Sequence, residues 1–234
     1  MQYNALVPTA AGPRVIPSAD HAPSPGSGHG SGRGRLDKRR AILDAAAEVF
    51  GESGYERASV DAIALKAAVS KPTIYNHFGT KEQLFRESIA ESAATVNQQS
   101  MDAITAFNPR SANWRAELND LVIALTQCSR SECAQSVQRQ IYSEVKRDPE
   151  VYRAVRSRAI DPITNALAGQ LAMLANAGRL EIPNPLLAAK QLLALATAEI
   201  VELTELGGRT ATNAEVRKAA AAAVDTFVAA FAKD

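Results

Sequence analysis

Apolar residues recur at three- and four-residue spacing through most of this chain. From about Leu36 to Ser53, the residues Ile42, Ala45, Ala46, Val49 and Phe50 form one stripe of an amphipathic helix. Gly54 stands where a left-handed residue would end it. A second helix is predicted after Ser59, a good N-cap, with Val60, Ile63, Ala64 and Ala67 on one face. The short break Ala68-Val69-Ser70 leads to a third, Lys71 to Phe78, which Ser70 can cap. Pro72 lies in its first turn, where a missing N–H costs little, and Gly79 ends it. Thr80 then caps a fourth helix that opens Lys81-Glu82-Gln83-Leu84-Phe85, with Gln83 placed as capping-box partner.

From about Asn108 onward the pattern predicts longer helices. One spans Ser111 to Ser129 and one Ser131 to Lys146. Another opens at Pro149, bends at Pro162 and closes at Gly178. Asn184-Pro185 starts the next, which runs to about Leu206 and stops at Gly207-Gly208, and the last spans Asn213 to Ala232. No repeat and no strand stand out. The expected fold class is all-α: an N-terminal three-helix helix-turn-helix domain plus a larger helical bundle.

Composition agrees with this pattern and bounds the function. The chain has 234 residues, 46% hydrophobic and only 5% aromatic, with abundant alanine and leucine that favour helix. The net charge of +1 excludes a general polycation, so any nucleic-acid signal must lie in where the charges sit. Two cysteines, Cys128 and Cys133, are too few for a disulfide scaffold. They read as ordinary thiols, with a redox or metal pair as the alternative. No apolar run reaches the roughly 18 residues needed to span a bilayer. The stretch Ala5 to Ala11 is broken by Pro8 and lacks a basic leader. The expectation is a cytoplasmic protein with no membrane partner, no cofactor and no metal. No nucleophile elbow, P-loop, H-E-x-x-H or paired-carboxylate pattern points to an enzyme.

Residues 1–34 are rich in Pro, Gly, Ser and His and are expected to be disordered. Their end is basic: Arg33, Arg35, Lys38, Arg39 and Arg40 fall within eight residues. Such a run is either a solvated flap or an arm that contacts DNA. The segment SVDAIALKAAVSKPTIYNHF, Ser59 to Phe78, bears on that choice. Two short helices across a tight turn form a unit whose second helix can enter the major groove. Val60, Ile63, Ala64, Val69, Ile74 and Phe78 would pack it, leaving Lys71, Thr73, Tyr75, Asn76 and His77 largely solvent-facing. That mixture of ammonium, hydroxyl, ring, amide and imidazole suits phosphate and base-edge contacts.

Residues 36–85 resemble the DNA-binding domain of the TetR family of bacterial transcriptional regulators. The matching features are Ala45, Ala46, Phe50, Gly54 and Tyr55, the S-V-x-x-I-A opening of the second helix, V-S at the turn, T-I-Y-x-H-F and T-K-E-x-L-F. Ala68 departs from the glycine often found in that turn, which would strain it if the backbone needs positive φ. The resemblance implies base reading by Thr73 and Asn76, and phosphate contacts from Tyr75, His77, Lys81 and Ser59. Lys71 would serve either role, and Arg39 and Arg40 would extend the grip. It implies domains at 35–85 for DNA and 86–234 for effector binding and dimerisation. The expected function is a repressor that binds a palindromic operator as a homodimer and is released by a small apolar effector. An effector-independent regulator or an activator of the same fold is the alternative. The last two helices, residues 184–206 and 213–232, are apolar on more than one face, which predicts that they pair with their copies in a four-helix homodimer interface, with a wide intrachain core as the alternative. Trp114, Leu118, Leu121, Leu125 and Tyr142 are candidates to line an effector pocket, though core packing explains such a stripe equally well.

Overall fold

Eleven α-helices and one π-helical turn make up the regular structure of residues 30–205 and 208–233, the part that the computed structural model describes. Among the described residues there is no strand. The expectations for residues 1–29 and for Leu206 and Gly207 fall outside that part.

Helix α1, Gly30–Arg57, starts six residues before the expected Leu36 and so takes in the end of the supposed tail. Gly54 interrupts it with φ 71 and ψ 168, a conformation that a Cβ would disfavour, and one further turn follows to Arg57. α2 is Val60–Lys66 and α3 is Lys71–Phe78. Ser59 and Ser70 cap them, each hydroxyl accepting from a backbone N–H in the first turn, that of Ala62 and that of Thr73. The connection does require positive φ: Ala68 sits at φ 52, where a non-glycine residue costs roughly 1–2 kcal/mol. Gly79, at φ 74, ends α3.

Thr80 caps α4, Lys81–Val96, with its hydroxyl 3.1 Å from the Gln83 N–H. The expected capping box is only half formed. The Gln83 amide turns along the helix to donate to Glu87 instead. The expected domain boundary at 85/86 falls in the middle of this continuous helix.

α5 is Gln98–Ala106, α6 Trp114–Ser129, α7 Glu132–Glu144 and α8 Glu150–Val155. The bend expected at Pro162 takes the form of a π-helical turn, Arg156–Ile160, just before α9, Asp161–Asn176. Proline lacks an N–H for the α ladder, and the wider turn accommodates that loss. Asn97, at the break between α4 and α5, donates to the Ala159 carbonyl in the widened turn at 3.0 Å. Gly178, at φ 72, follows α9. α10, Pro185–Leu203, is capped by Asn184, and α11 is Asn213–Ala230. Thr212 and Glu215 form a complete capping box at α11 that the sequence reading passed over. Arg209 and then Thr212 hold the Glu215 carboxyl down at about 2.

Two apolar cores organise these helices. The first joins α1 to α4 around Ile42, Phe50, Ile63, Ile74 and Phe85, and extends to Val137 of α7 and Val151 and Val155 of α8. The second joins α5, α6, α9, α10 and α11 around Leu118, Leu167, Leu171, Leu192 and Phe227. Each such side chain, fully buried, contributes about 1.5–3 kcal/mol. α7 and α8 therefore pack with the DNA-type helices rather than wholly with the C-terminal bundle.

Candidate functional site

Ile74 and Phe78, four residues apart, seat α3 on the first core with 1% and 5% of their surfaces exposed. The opposite face carries exposed Lys71, Tyr75 and Asn76, with Thr73 and His77 half-buried beside them. Among the described residues neither the Tyr75 hydroxyl nor the Asn76 amide has an intramolecular hydrogen-bond partner. Both are available to a ligand in solvent. Thr73 differs, because its hydroxyl shares a 2.8 Å hydrogen bond with Ser70 within the cap. Ser59 is exposed at the start of α2, its hydroxyl accepting from Ala62. The Lys71 ammonium meets Asp61 of α2 at 3.0 Å, and that hydrogen bond raises its pKa. An exposed pair of this kind is worth little and exchanges readily for a phosphate.

The basic positions divide in a way that the sequence concealed. Arg39 pairs with Glu87 of α4 and lies 5.4 Å above the Phe78 ring. Arg40 pairs with Asp44 and Glu91. Both arginines thus have partners on α1 and α4 while their side chains stay 38% and 56% exposed, so these pairs, like that of Lys71, can exchange for a phosphate. Arg35 and Lys38 are exposed, and among the described residues they form no ion pair. Among the described residues of the basic run, these two carry no ion pair and can meet a polyanion directly. The start of α1 lies beside α3, as Arg39 over the Phe78 ring shows, and burial, then the charges of Arg35, Arg39 and Lys38, lower the pKa of His77. Lys81 rests 4.5 Å above the Tyr55 ring and reaches the Glu56 carbonyl at 3.5 Å.

Tyr55 is also the meeting point of the two halves. The Arg147 guanidinium, just beyond α7, covers its ring at 3.9 Å. Its hydroxyl donates to Glu82 at 2.7 Å. Burial and this neighbour raise the phenol pKa, and the same hydrogen bond lowers that of Glu82. Next along the chain, Asp148 accepts two hydrogen bonds from Arg86 of α4, at 2.7 and 3.0 Å. The α7–α8 turn therefore clasps α1 and α4 through two adjacent residues.

A cavity of about 610 Å³ lies between α7 and the facing surfaces of α6 and α10. Of the expected pocket residues only Tyr142 lines it. Leu118, Leu121 and Leu125 are buried in the second core, and Trp114 packs against that core. The reason is geometric: the apolar stripe of α6 is already covered by α5, α10 and α11. The cavity instead takes the end of α4, the end of α6 and the polar flank of α7. Cys128 is in its wall, its thiol donating to the Val96 carbonyl, while Cys133 is exposed.

A family model described as "Bacterial regulatory proteins, tetR family" matches residues 42–88. A second, "AefR-like transcriptional repressor, C-terminal domain", matches residues 116–233, half of the chain. The chain belongs to the TetR family. A TetR-family transcriptional regulator of Mesorhizobium loti superposes with a TM-score of 0.76 at 27% identity, over 84% of this chain and 98% of its own. The flavonoid-responsive regulator FrrA superposes with a TM-score of 0.70 at 26% identity, over 87% of this chain and all of its own. The repressor AcnR of Corynebacterium efficiens is 27% identical over 64% of this chain and 73% of its own length. The activator FasR of Mycolicibacterium smegmatis is 43% identical, but over 27% of this chain and 29% of its own. The A-factor receptor protein of Streptomyces griseus matches over 21% of its length. The TetR-family chain is accordingly a DNA-binding transcriptional regulator. Among its described residues, no helix is long and apolar enough to cross a membrane.

Proposed function

We propose that this TetR-family chain is a cytoplasmic repressor that grips a palindromic operator as a homodimer and leaves it when a small organic molecule enters the α7 cavity. The observation that carries the DNA reading is the outer face of α3, with the unpartnered Tyr75 hydroxyl and Asn76 amide beside His77. In this reading Asn76 reads a base edge, and Tyr75, His77 and Lys71 hold phosphates. Arg35 and Lys38 join Arg39 and Arg40 in the reach of the basic arm. Thr73, Ser59 and Lys81 keep supporting roles at the helix starts. The DNA unit is residues 35–85 and the effector and dimer unit 86–234, with α4 running through both.

Tyr75→Ala is expected to weaken operator binding several-fold on every sequence and to flatten its salt dependence. Asn76→Ala is expected to cost about 1–3 kcal/mol at one base position and to relax preference there. Fluorescence anisotropy against a selected operator and its point variants measures both. Unchanged affinity in Tyr75→Ala, or an unchanged selected motif in Asn76→Ala, would remove that residue from the interface.

His77 adds a pH signature. Its depressed pKa keeps it neutral in the free protein near neutral pH. A phosphate at the ring raises the value again. The bound state then takes up the proton more readily than the free state. That share of the affinity is present below the bound-state value and is lost as pH rises through it. Operator affinity is expected to rise as pH falls from about 7.5 to about 6, and His77→Gln to abolish the slope. An equal slope in the variant would assign it to another group. For folding the sign is opposite. The unfolded chain binds this proton more tightly, so stability falls as pH drops through the ordinary imidazole range.

The dimer reading rests on the outer sides of α10 and α11. Leu187 and Leu195 are exposed on α10, with Ala194 and Ala198 among them, and α11 exposes Ala214, Ala221, Ala222 and Ala229. An apolar stripe with small residues suits close, symmetric helix pairing. Effector control is supported by α7, which forms one wall of the cavity and leads directly into Arg147 and Asp148 at the clasp. A ligand that favours a shifted α7 would act on Tyr55 and Arg86, and thus on the spacing of the two α3 helices. The likeness to a flavonoid-responsive regulator favours a small-molecule signal over an effector-independent regulator.

A further inference from the structure

The α7 cavity is unevenly supplied with hydrogen-bond donors. Most polar side chains in its wall already donate to backbone. Ser129 donates to the Leu125 carbonyl, Thr197 to Leu193 and Thr204 to Ile200, at 3.1, 2.8 and 2.7 Å. The Cys128 thiol donates to Val96 at 2.9 Å and the Asn97 amide to Ala159 at 3.0 Å. Gln135 donates to Arg130 and Gln138 to the Tyr142 hydroxyl, at 3.4 and 3.1 Å. Two strong donors in the wall are not engaged in this way. The Arg139 guanidinium forms no ion pair or side-chain hydrogen bond among the described residues. The Tyr142 hydroxyl accepts from Gln138, which leaves its proton free.

Arg139 and Tyr142 stand three residues apart on α7, so they lie on one face of that helix, and both are exposed at the rim of the cavity. The rest of this wall mixes apolar Val96, Ile200 and Val201 with the hydroxyl and amide groups already turned to backbone. A second recess of about 260 Å³ adjoins it along Ala134 and Gln138, and its lining, with Val137, Ile141, Val155 and Ile160, is almost wholly apolar. The site therefore has a cationic, donor-bearing rim and an apolar interior.

We propose that the effector is an amphipathic monocarboxylate, its carboxylate held by Arg139 and the Tyr142 proton and its hydrocarbon body laid into the apolar recesses. This deepens the effector reading given above, rests on it, and replaces the sequence-based expectation of a merely apolar effector. A planar guanidinium donates two parallel hydrogen bonds to a carboxylate, and a neutral alcohol forfeits that pair. The recess accounts for affinity that is independent of the headgroup.

The test compares octanoate with octanol, and cinnamate with cinnamyl alcohol, on the full chain. Thermal stabilisation and release from a labelled operator are read for each. Wild type is expected to bind each acid about tenfold or more tightly than its alcohol. Arg139→Gln is expected to remove that preference while leaving alcohol binding unchanged. Ala134→Leu, which narrows both recesses, is expected to weaken acid and alcohol alike. Acid and alcohol binding equally, with both lost in Ala134→Leu, would overturn the carboxylate and retain the effector site. Failure of both acids to stabilise wild type would also overturn the carboxylate. The effector reading itself falls only if no compound of a broad library both stabilises the protein and releases operator.

Discussion

With Leu195 and Ala198 both changed to glutamate, the protein is expected to become a monomer and to lose about 10²- to 10⁴-fold in operator affinity. The two residues lie three apart on the outer side of α10, where Leu195 keeps 36% of its surface exposed. The core side of the same helix, with Leu192, Ala196 and Ile200 all at most 2% exposed, is untouched by either change. The substitutions therefore act on association and not on the fold of one chain. Near a twofold axis each new carboxylate meets its own copy as well as an apolar surface. A dimer places two α3 helices on one DNA face, so the second half-site is bound at a high effective concentration that the monomer lacks. Sedimentation and operator titration on the same samples decide it. A variant that stays dimeric with full affinity would move the interface elsewhere, and a monomeric wild type would end the dimer reading.

Phe50→Ala is expected to destabilise the DNA-binding unit by about 3–5 kcal/mol. Phe50 is fully buried and packs edge-on against Phe85 at 4.8 Å, with Tyr55 stacked at 6.2 Å. These rings bring α1 against the start of α4 and present Tyr55 to Arg147 and Lys81. Removing one leaves a cavity in the centre of the first core. Trp114, the single tryptophan of the chain, packs against the second core and serves as a separate probe. In urea, helical signal is expected to fall before Trp114 emission changes in the variant, and closer together with it in wild type. A loss below about 1 kcal/mol, or an unchanged order of events, would show that the ring cluster does not hold the unit together.

Phe50 and Tyr55 also illustrate what a sequence discloses. Both were recognisable as family positions, and Gly54 as a left-handed residue, although the helix it was expected to end runs one turn further. Local signals carried most of the fold in the same way. Ser59, Ser70 and Thr80 all cap the helices they were expected to cap, and α10 starts at the expected Asn184-Pro185. Ala68 has the strained φ that a missing glycine implied. Misreadings arose where a local pattern had more than one distant outcome. Gln83 had the spacing of a capping box, yet Glu87 offered its amide a better partner one turn on. The stripe on α6 had the look of a pocket wall, yet three helices already cover it. In the basic run only the Arg40–Asp44 pair lies within one helical turn; the partners Glu87 and Glu91 lie far along the chain.

Apart from α5, the early start of α1 and the capping box of α11, helix positions, caps, the helix-turn-helix and the family were determined by the sequence itself. They depend on residues within a turn or two of one another, where spacing and side-chain type suffice. Tertiary structure alone decided which cations are free, where the cavity lies and how the two halves are joined. Arg39 meets Glu87 across 48 residues, and Arg86 meets Asp148 across 62. Such pairings depend on how whole helices pack, and no periodicity along the chain encodes which charged side chain will face which.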